Sequence, residues 1–133
     1  MRINRHFTQE NKSPYSDIIF RKAISEIRNP DGSVVFQAND LEVPESWSQV
    51  ACDVLAQKYF RKAGVPAKLK TVKEKDVPEF LWRSVPDESA MSGIAEEDRF
   101  TGETSAKQVF DRLAGTWTYW GWKGGYLDSE EDA

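Results

Sequence analysis

The sequence predicts a mainly α domain with one small β-hairpin, an α+β chain of 133 residues. Two segments carry apolar residues at three- and four-residue steps, which is the period of an amphipathic helix. A third segment has two β-branched runs on either side of Asn29-Pro30-Asp31-Gly32, where proline presets φ and glycine accepts a positive φ. Charged residues make up 30% of the chain and aromatic residues 12%, a globular composition.

The first elements are an arm and the hairpin. Residues 1–16 are predicted to form an extended N-terminal arm that ends in the turn signal Ser-Pro-Tyr, and residues 17–133 to form the domain itself. In the first run of the hairpin the apolar residues between Ile18 and Ile27 do not alternate strictly. We therefore expect a bulge or an early break in that strand.

The clearest helix is predicted in "VPESWSQVACDVLAQKYFRKAGVP", from Val43 to Pro66. Ser46 or Glu45 is expected near its start, and Gly64 followed by proline ends it. Residues at helical spacing predict one buried apolar face: Trp47, Val50, Ala51, Val54, Leu55 and Tyr59. Polar residues are expected to point away from that face: Asp53, Gln57, Arg61 and Lys62.

Residues 67–102 show no sustained period and are predicted to be a long connection, held over the domain by Phe80, Leu81 and Trp82. Connections of this length are uncommon in compact domains unless they are functional or flexible.

A second helix is predicted to start at Thr104 as a cap and to end at Gly124-Gly125. One stripe of it would hold Ala106, Val109, Phe110, Leu113, Trp117 and Trp120, and a second side Gly115, Tyr119 and Trp122. Because its end is apolar on more than one side, we expect that end to be buried all round. A chain of this size has few residues with which to cover the aromatic end of this helix. The last residues, "DSEEDA", are typical of a helix start, and no helix follows them. The chain is therefore expected to be cut from a longer one whose remainder covers the aromatic helix.

No catalytic, cofactor-binding or metal-binding residue is predicted in this chain. His6 is the only histidine and lies in a polar arm, so it lacks the partner that a catalytic base needs. Cys52 is the only cysteine and is expected to act as a small buried hydrophobe. One histidine and one cysteine do not make a soft-metal site. The acidic residues of the clusters 96–98 and 128–132 are expected to be solvated or to suit a helix start.

Several function classes are excluded by composition. The net charge is −4 and no basic stripe is present, which gives no reason to expect nucleic-acid binding. No window has the run of about eighteen apolar residues that marks a membrane span. The N-terminus lacks the apolar core of a secretory signal, and a single cysteine cannot form an internal disulfide. A reducing, cytoplasmic location is the default expectation.

One segment gives a weak nucleotide signal. "SEIRNPDGSVVF" is similar to the strand-turn-strand opening of the nucleotide-sensing ATP cone, but Asn29-Pro30 stands where that pattern has a Lys-Arg pair before Asp-Gly. The plain hairpin is the favoured interpretation. A regulatory nucleotide-binding module stays open as an alternative, as does a free-standing interaction domain that docks through its aromatic helix.

The whole chain resembles the N-terminal region of bacterial adenosylcobalamin-dependent (class II) ribonucleotide reductases. The resemblance is carried by the hairpin segment, by "WSQVA" and "LAQKYFRKAGVP", by "VPEFLWRSVPDE", and by "AGTWTYWGWKGGY". It implies a larger enzyme that reduces ribonucleotides, diphosphates in our interpretation, to deoxyribonucleotides for DNA synthesis. In that family a thiyl radical forms on a cysteine inside an α/β barrel after cobalamin homolysis.

The resemblance also implies what this piece lacks. The barrel, the radical cysteine, the reducing cysteine pair and the substrate loops of the family lie beyond Ala133, and Cys52 matches none of them. This piece is therefore identified as an N-terminal helical cap that precedes a missing α/β barrel. Its implied partner is the barrel of the same polypeptide, through which ribonucleotides, allosteric nucleotides and adenosylcobalamin are bound. The fragment alone is expected to be inactive.

Overall fold

The computed structural model describes residues 1–133 and contains six strands and three α-helices. The strands are β1 (Phe20–Arg28), β2 (Val34–Pro44), β3 (Val65–Pro66), β4 (Leu69–Thr71), β5 (Ser84–Pro86) and β6 (Phe100–Thr101). The helices are α1 (Gln49–Val54), α2 (Glu88–Met91) and α3 (Ala106–Lys123). The strands form three two-stranded antiparallel sheets, which pair β1 with β2, β3 with β6 and β4 with β5.

The predicted fold class is wrong, because the chain is not mainly α. About 29% of the residues are helical and about 23% are in strands. The first predicted helix is much shorter than its sequence pattern. The predicted long connection 67–102 is also not structureless, since it contributes β4, β5, β6 and α2. Its strands are two or three residues long, too short to show a period of their own.

Contacts divide the chain into two compact units. The hairpin unit comprises residues 7–61 and 103–110, and the aromatic unit comprises residues 1–6, 62–102 and 111–133. The predicted boundary between an arm and a domain at residue 16 stays a prediction. No helix of the chain is both long enough and apolar enough to cross a membrane.

The β1–β2 hairpin confirms the strongest strand prediction. Asn29 N–H donates to the Ser33 carbonyl at 2.8 Å, and Gly32 between them has φ +87°, a conformation that glycine adopts without steric cost. The register shifts between Ala23 and Ser25, and again between Ile27 and Arg28, but both extra residues lie in β2, so the irregularity expected in the first strand is found in its partner instead. The second strand runs on to Pro44, through residues that the sequence suggested as the approach to a helix.

Helix α1 begins later than predicted and buries a different face. Its cap is Ser48, whose hydroxyl accepts a hydrogen bond from Ala51 N–H at 3.3 Å, rather than Ser46 or Glu45. After six residues the backbone widens into a π-helical turn, Leu55–Tyr59, which changes the angle between successive side chains. The buried side chains are therefore Cys52, Leu55, Ala56 and Phe60. Val50, Val54 and Tyr59, which were predicted to be buried, are exposed.

The predicted polar side of α1 is also corrected. Asp53 does not point into solvent, because its Oδ1 accepts hydrogen bonds from the buried Ser25 hydroxyl at 2.7 Å and from Gln49 Nε2 at 2.9 Å. Gln57 Nε2 approaches the same hydroxyl at 3.5 Å. Ser25 lies in β1 and is fully buried, so these bonds attach the hairpin to α1.

Helix α3 begins with a capping box one residue after the predicted cap. Ser105 Oγ accepts from Lys107 N–H, while Gln108 Oε1 accepts from the backbone N–H groups of Thr104 and Ser105. These bonds satisfy donors that a helix start otherwise leaves without partners. The same Ser105 hydroxyl donates to Glu42 Oε1 of β2 at 2.6 Å, and Lys107 Nζ lies 3.4 Å from that oxygen.

We expect this junction to make stability depend on acid pH. The Ser105 hydroxyl, and to a lesser degree the Lys107 ammonium, hold the pKa of Glu42 below its usual range. A carboxylate with a lowered folded-state pKa contributes stability above its ordinary pKa and loses it as pH falls through the folded-state value. The melting temperature should therefore fall less between pH about 7 and about 3 in Glu42→Gln than in the natural chain. The exposed Glu97→Gln is the charge-matched control, and an equal fall in Glu42→Gln would contradict the prediction.

Candidate docking surface on the C-terminal helix

The aromatic unit has a small core. Besides Pro78, its only buried apolar side chains are Val77 and Met91, whereas the hairpin unit holds the other nine buried hydrophobic side chains. Trp82 contributes a half-buried indole, whose Nε1 donates to the Val77 carbonyl at 2.9 Å. A unit with so little buried apolar surface gains little hydrophobic stabilisation by itself.

One side of α3 in this unit is fixed by polar contacts to residues 74–76. Tyr119 OH donates to Glu74 Oε1 at 3.0 Å, and Trp122 Nε1 donates to the Asp76 carbonyl at 2.8 Å. Tyrosine and tryptophan normally satisfy their polar atoms in this way when they are partly buried. The two residues are three apart, so they lie on the same side of the helix and set its rotation against this segment.

The contact to Glu74 is an electrostatic cluster with one incomplete member. Arg83 Nε lies 3.1 Å from Glu74 Oε1, the same oxygen that accepts from Tyr119, while Oε2 is buried and has no hydrogen-bond partner. Burial and the neighbouring carboxylate raise the pKa of Tyr119, so its hydroxyl stays protonated and remains a donor. The cluster positions the helix and offers no paired nucleophile and base.

The opposite side of α3 points its aromatic rings into solvent. Trp117 and Trp120 are each 63% exposed, and Tyr126, just beyond the helix, is 67% exposed. We call these three residues the indole face. Within residues 1–133 the polar contacts of Tyr119 and Trp122 cover one side only, so burial of this helix end all round stays a prediction for the longer polypeptide. Contiguous exposed aromatic surface of this kind is typical of interaction sites.

The end of α3 places the last ring of the indole face. Gly125 has φ +71°, and its N–H donates to the Trp122 carbonyl at 3.0 Å, so the predicted glycine stop is confirmed. A Cβ at Gly124 would come within 2.8 Å of the Tyr126 ring. The ring therefore lies against the backbone of Gly124, and any larger residue there would displace it.

The other sequence candidates lie elsewhere and do not assemble a reactive site. Cys52 is fully buried in the hairpin unit, and the nearest polar contact to its Sγ is Arg21 Nη2 at 3.6 Å. Arg21 is itself held by the carbonyls of Glu45 and Trp47. His6 lies in the exposed N-terminal segment, which has no helix or strand. No group of three or more His, Cys, Asp or Glu side chains is placed to hold a metal ion.

The turn of the hairpin is closed on itself. Asp31 Oδ1 accepts from both the N–H and the hydroxyl of Ser33, at 2.8 and 2.6 Å, and these bonds lower the pKa of Asp31. Asn29 Nδ2 also donates to the Ser33 hydroxyl. The turn thus uses its polar side chains internally, which does not favour the nucleotide-binding alternative.

The two acidic clusters have local roles. Glu96–Asp98 forms a single 3-10 turn. The predicted helix start at 128–132 forms a turn instead, in which Asp132 Oδ2 accepts from Ser129 and Oδ1 accepts from Ile3 N–H at 2.8 Å. Asp128 pairs with the terminal ammonium at 2.7 Å. These acids therefore serve the packing of the aromatic unit.

Sequence reasoning found the aromatic residues but missed their partners. Nothing in the sequence around Glu74 and Asp76 marks them as the acceptors for α3, since they lie about 45 residues away from it. The available signal was a loop with alternating Lys and acidic residues facing a helix rich in indole donors.

Comparison with known proteins identifies relatives of this chain. Residues 21–133 match the family described as class II vitamin B12-dependent ribonucleotide reductase. Over its full length the chain is 66% identical to the vitamin B12-dependent ribonucleotide reductase of Bradyrhizobium diazoefficiens and 65% identical to that of Agrobacterium fabrum. A third relative, from Rhodopirellula baltica, is 27% identical over 123 residues. The chain spans only 11% and 10% of the length of the first two relatives.

Proposed function

Because the chain belongs to the class II vitamin B12-dependent ribonucleotide reductases, as their N-terminal region, we propose that it is a docking domain for the catalytic part of the same polypeptide. The observation that carries the proposal is the indole face, on a unit whose own core is small. A buried aromatic side chain removes about 150–250 Å² from water, so covering Trp117 and Trp120 would contribute several kcal/mol by area.

The full-length protein is proposed to reduce ribonucleotides, as diphosphates, with adenosylcobalamin as its cofactor. This chain supplies no residue that fits the cofactor. Its only imidazole is in an exposed terminal segment, and its only thiol is fully buried beside a guanidinium. Residues 1–133 alone are therefore expected to have no reductase activity. Ribonucleotides and allosteric nucleotides would be bound by the rest of the polypeptide.

Oxidative footprinting of the full-length protein tests the docking role. In the described chain Trp47 is partly buried, whereas Trp117 and Trp120 are largely exposed. If the catalytic part covers the indole face, hydroxyl radicals should oxidise Trp117 and Trp120 more slowly than Trp47 in the full-length protein. The proposal would be contradicted if Trp117 and Trp120 were both oxidised faster than Trp47, which is the order expected from their exposure in residues 1–133 alone. Phe80, an exposed ring of the same unit outside the indole face, is the internal control for radical dose.

A further inference from the structure

The outer edge of β2 is an incomplete sheet edge in the hairpin unit. β2 pairs with β1 on one side only, and the sheet has two strands. On its other side it is covered only near its end, where Glu42 N–H donates to the Thr104 carbonyl at 2.8 Å and Glu42 bridges to Ser105. From Val34 to Asp40 no strand lies beside this edge.

The direction of the backbone groups follows from a contact on the opposite strand. The Ile24 carbonyl accepts from Gln49 Nε2 of α1 at 2.8 Å, so the backbone groups of Ile24 point away from β2. The backbone N–H and C=O groups of successive residues point to opposite sides of an antiparallel strand, so those of Glu26 point away from β2, as those of Ile24 do. Gln37 is opposite Glu26, and its N–H and C=O therefore point outward from β2 to the open edge.

The side chains along this edge do not protect it. The seven residues Ser33–Asn39, "SVVFQAN", contain no charge and no proline, and Val34 and Val35 are 45% and 60% exposed. Proteins normally block an open edge with charged side chains, proline, β-bulges or a covering segment. Both bulges lie in β2, one at Val35 and one at Asn39–Asp40, and they leave Phe36–Ala38 as the regular part of the edge.

We infer that the outer edge of β2, centred on Gln37, pairs with a β-strand from the part of the polypeptide that follows residue 133. The other four strands pair with one another in two separate sheets, and none of them lies beside this edge. The curated relatives are about nine to ten times longer than this chain, which leaves ample sequence for such a strand. The inference rests on the proposed docking role, and it places a second, main-chain contact in the hairpin unit, separate from the indole face.

Hydrogen exchange on the full-length protein tests the inference. The Gln37 amide should exchange at least ~100-fold more slowly than an unprotected amide, because it would be hydrogen-bonded in the completed sheet. Val35→Lys places a charge on the edge and should raise the Gln37 exchange rate roughly 10-fold or more, whereas the isosteric Val35→Thr should leave it nearly unchanged. Unprotected exchange at Gln37 in the natural full-length protein would overturn the inference.

Three further outcomes distinguish failure of the strand pairing from failure of the docking role. Protection of Gln37 that disappears on dilution, as the protein dissociates into monomers, would show that a second copy covers the edge and would overturn the assignment to the same polypeptide. Slow oxidation of Trp117 and Trp120 with an unprotected Gln37 would overturn the strand pairing while leaving the docking role intact. Protected Gln37 with rapidly oxidised indoles would instead overturn docking through the indole face.

Discussion

Leu55→Ala is expected to lower the free energy of unfolding by about 2–5 kcal/mol, the range for removing a large buried aliphatic side chain. Leu55 is 5% exposed at the point where α1 widens into the π-helical turn. Val50→Ala should change the free energy by less than ~0.5 kcal/mol, because Val50 is 71% exposed. The helical period places both residues on one apolar face, so this pair of variants separates the structure from the sequence pattern.

Urea denaturation of the two variants, followed by far-ultraviolet circular dichroism, measures both changes on the same scale. The slope of each transition should stay unchanged, because neither substitution is expected to alter the surface exposed on unfolding. A loss for Val50→Ala equal to that for Leu55→Ala would show that α1 is rotated as the periodicity predicts, and the burial described for this helix would then be wrong.

The local features of the fold could be predicted from the sequence. Asn-Pro-Asp-Gly specified the hairpin turn, and Gly124-Gly125 marked the end of α3. Each of these signals acts within a few residues, through allowed φ values. The same is true of the helix starts, where the true caps Ser48 and Ser105 lie within a few residues of the predicted ones.

Long-range partners could not be predicted in the same way. The pairing of Val65 with Thr101 joins residues 36 positions apart through two-residue strands, which are too short to show a sequence period that would predict the pairing. The rotation of α1 also could not be read from a fixed angle per residue, because the π-helical turn interrupts that angle. At the candidate site the aromatic content was evident, but the side left exposed depends on hydrogen bonds from Tyr119 and Trp122 to a distant segment.

The second large effect concerns the polar attachment of the hairpin. Asp53→Ala should lower the free energy of unfolding by about 1–3 kcal/mol, because it removes the acceptor of a fully buried hydroxyl. Ser25 would then keep only the long approach of Gln57 at 3.5 Å. Ser25→Ala should cost less, since it removes the buried donor and leaves Asp53 with its bond from Gln49. Removing both partners should cost less than the sum of the single changes.

A double-mutant cycle on Ser25 and Asp53, measured by urea denaturation, gives their coupling directly. We expect a coupling of about 1 kcal/mol, because the 2.7 Å bond joins the hydroxyl of the fully buried Ser25 to the Asp53 carboxylate. Strictly additive costs would mean that α1 and the hairpin are attached by apolar packing alone. In that case the hairpin that carries Gln37 could change its orientation relative to α1. A strand that pairs with β2 would then have to fix the orientation of the hairpin as well as cover its edge. A measured coupling instead means that the edge of β2 is presented in one orientation before any partner binds, which lowers the entropy lost on pairing.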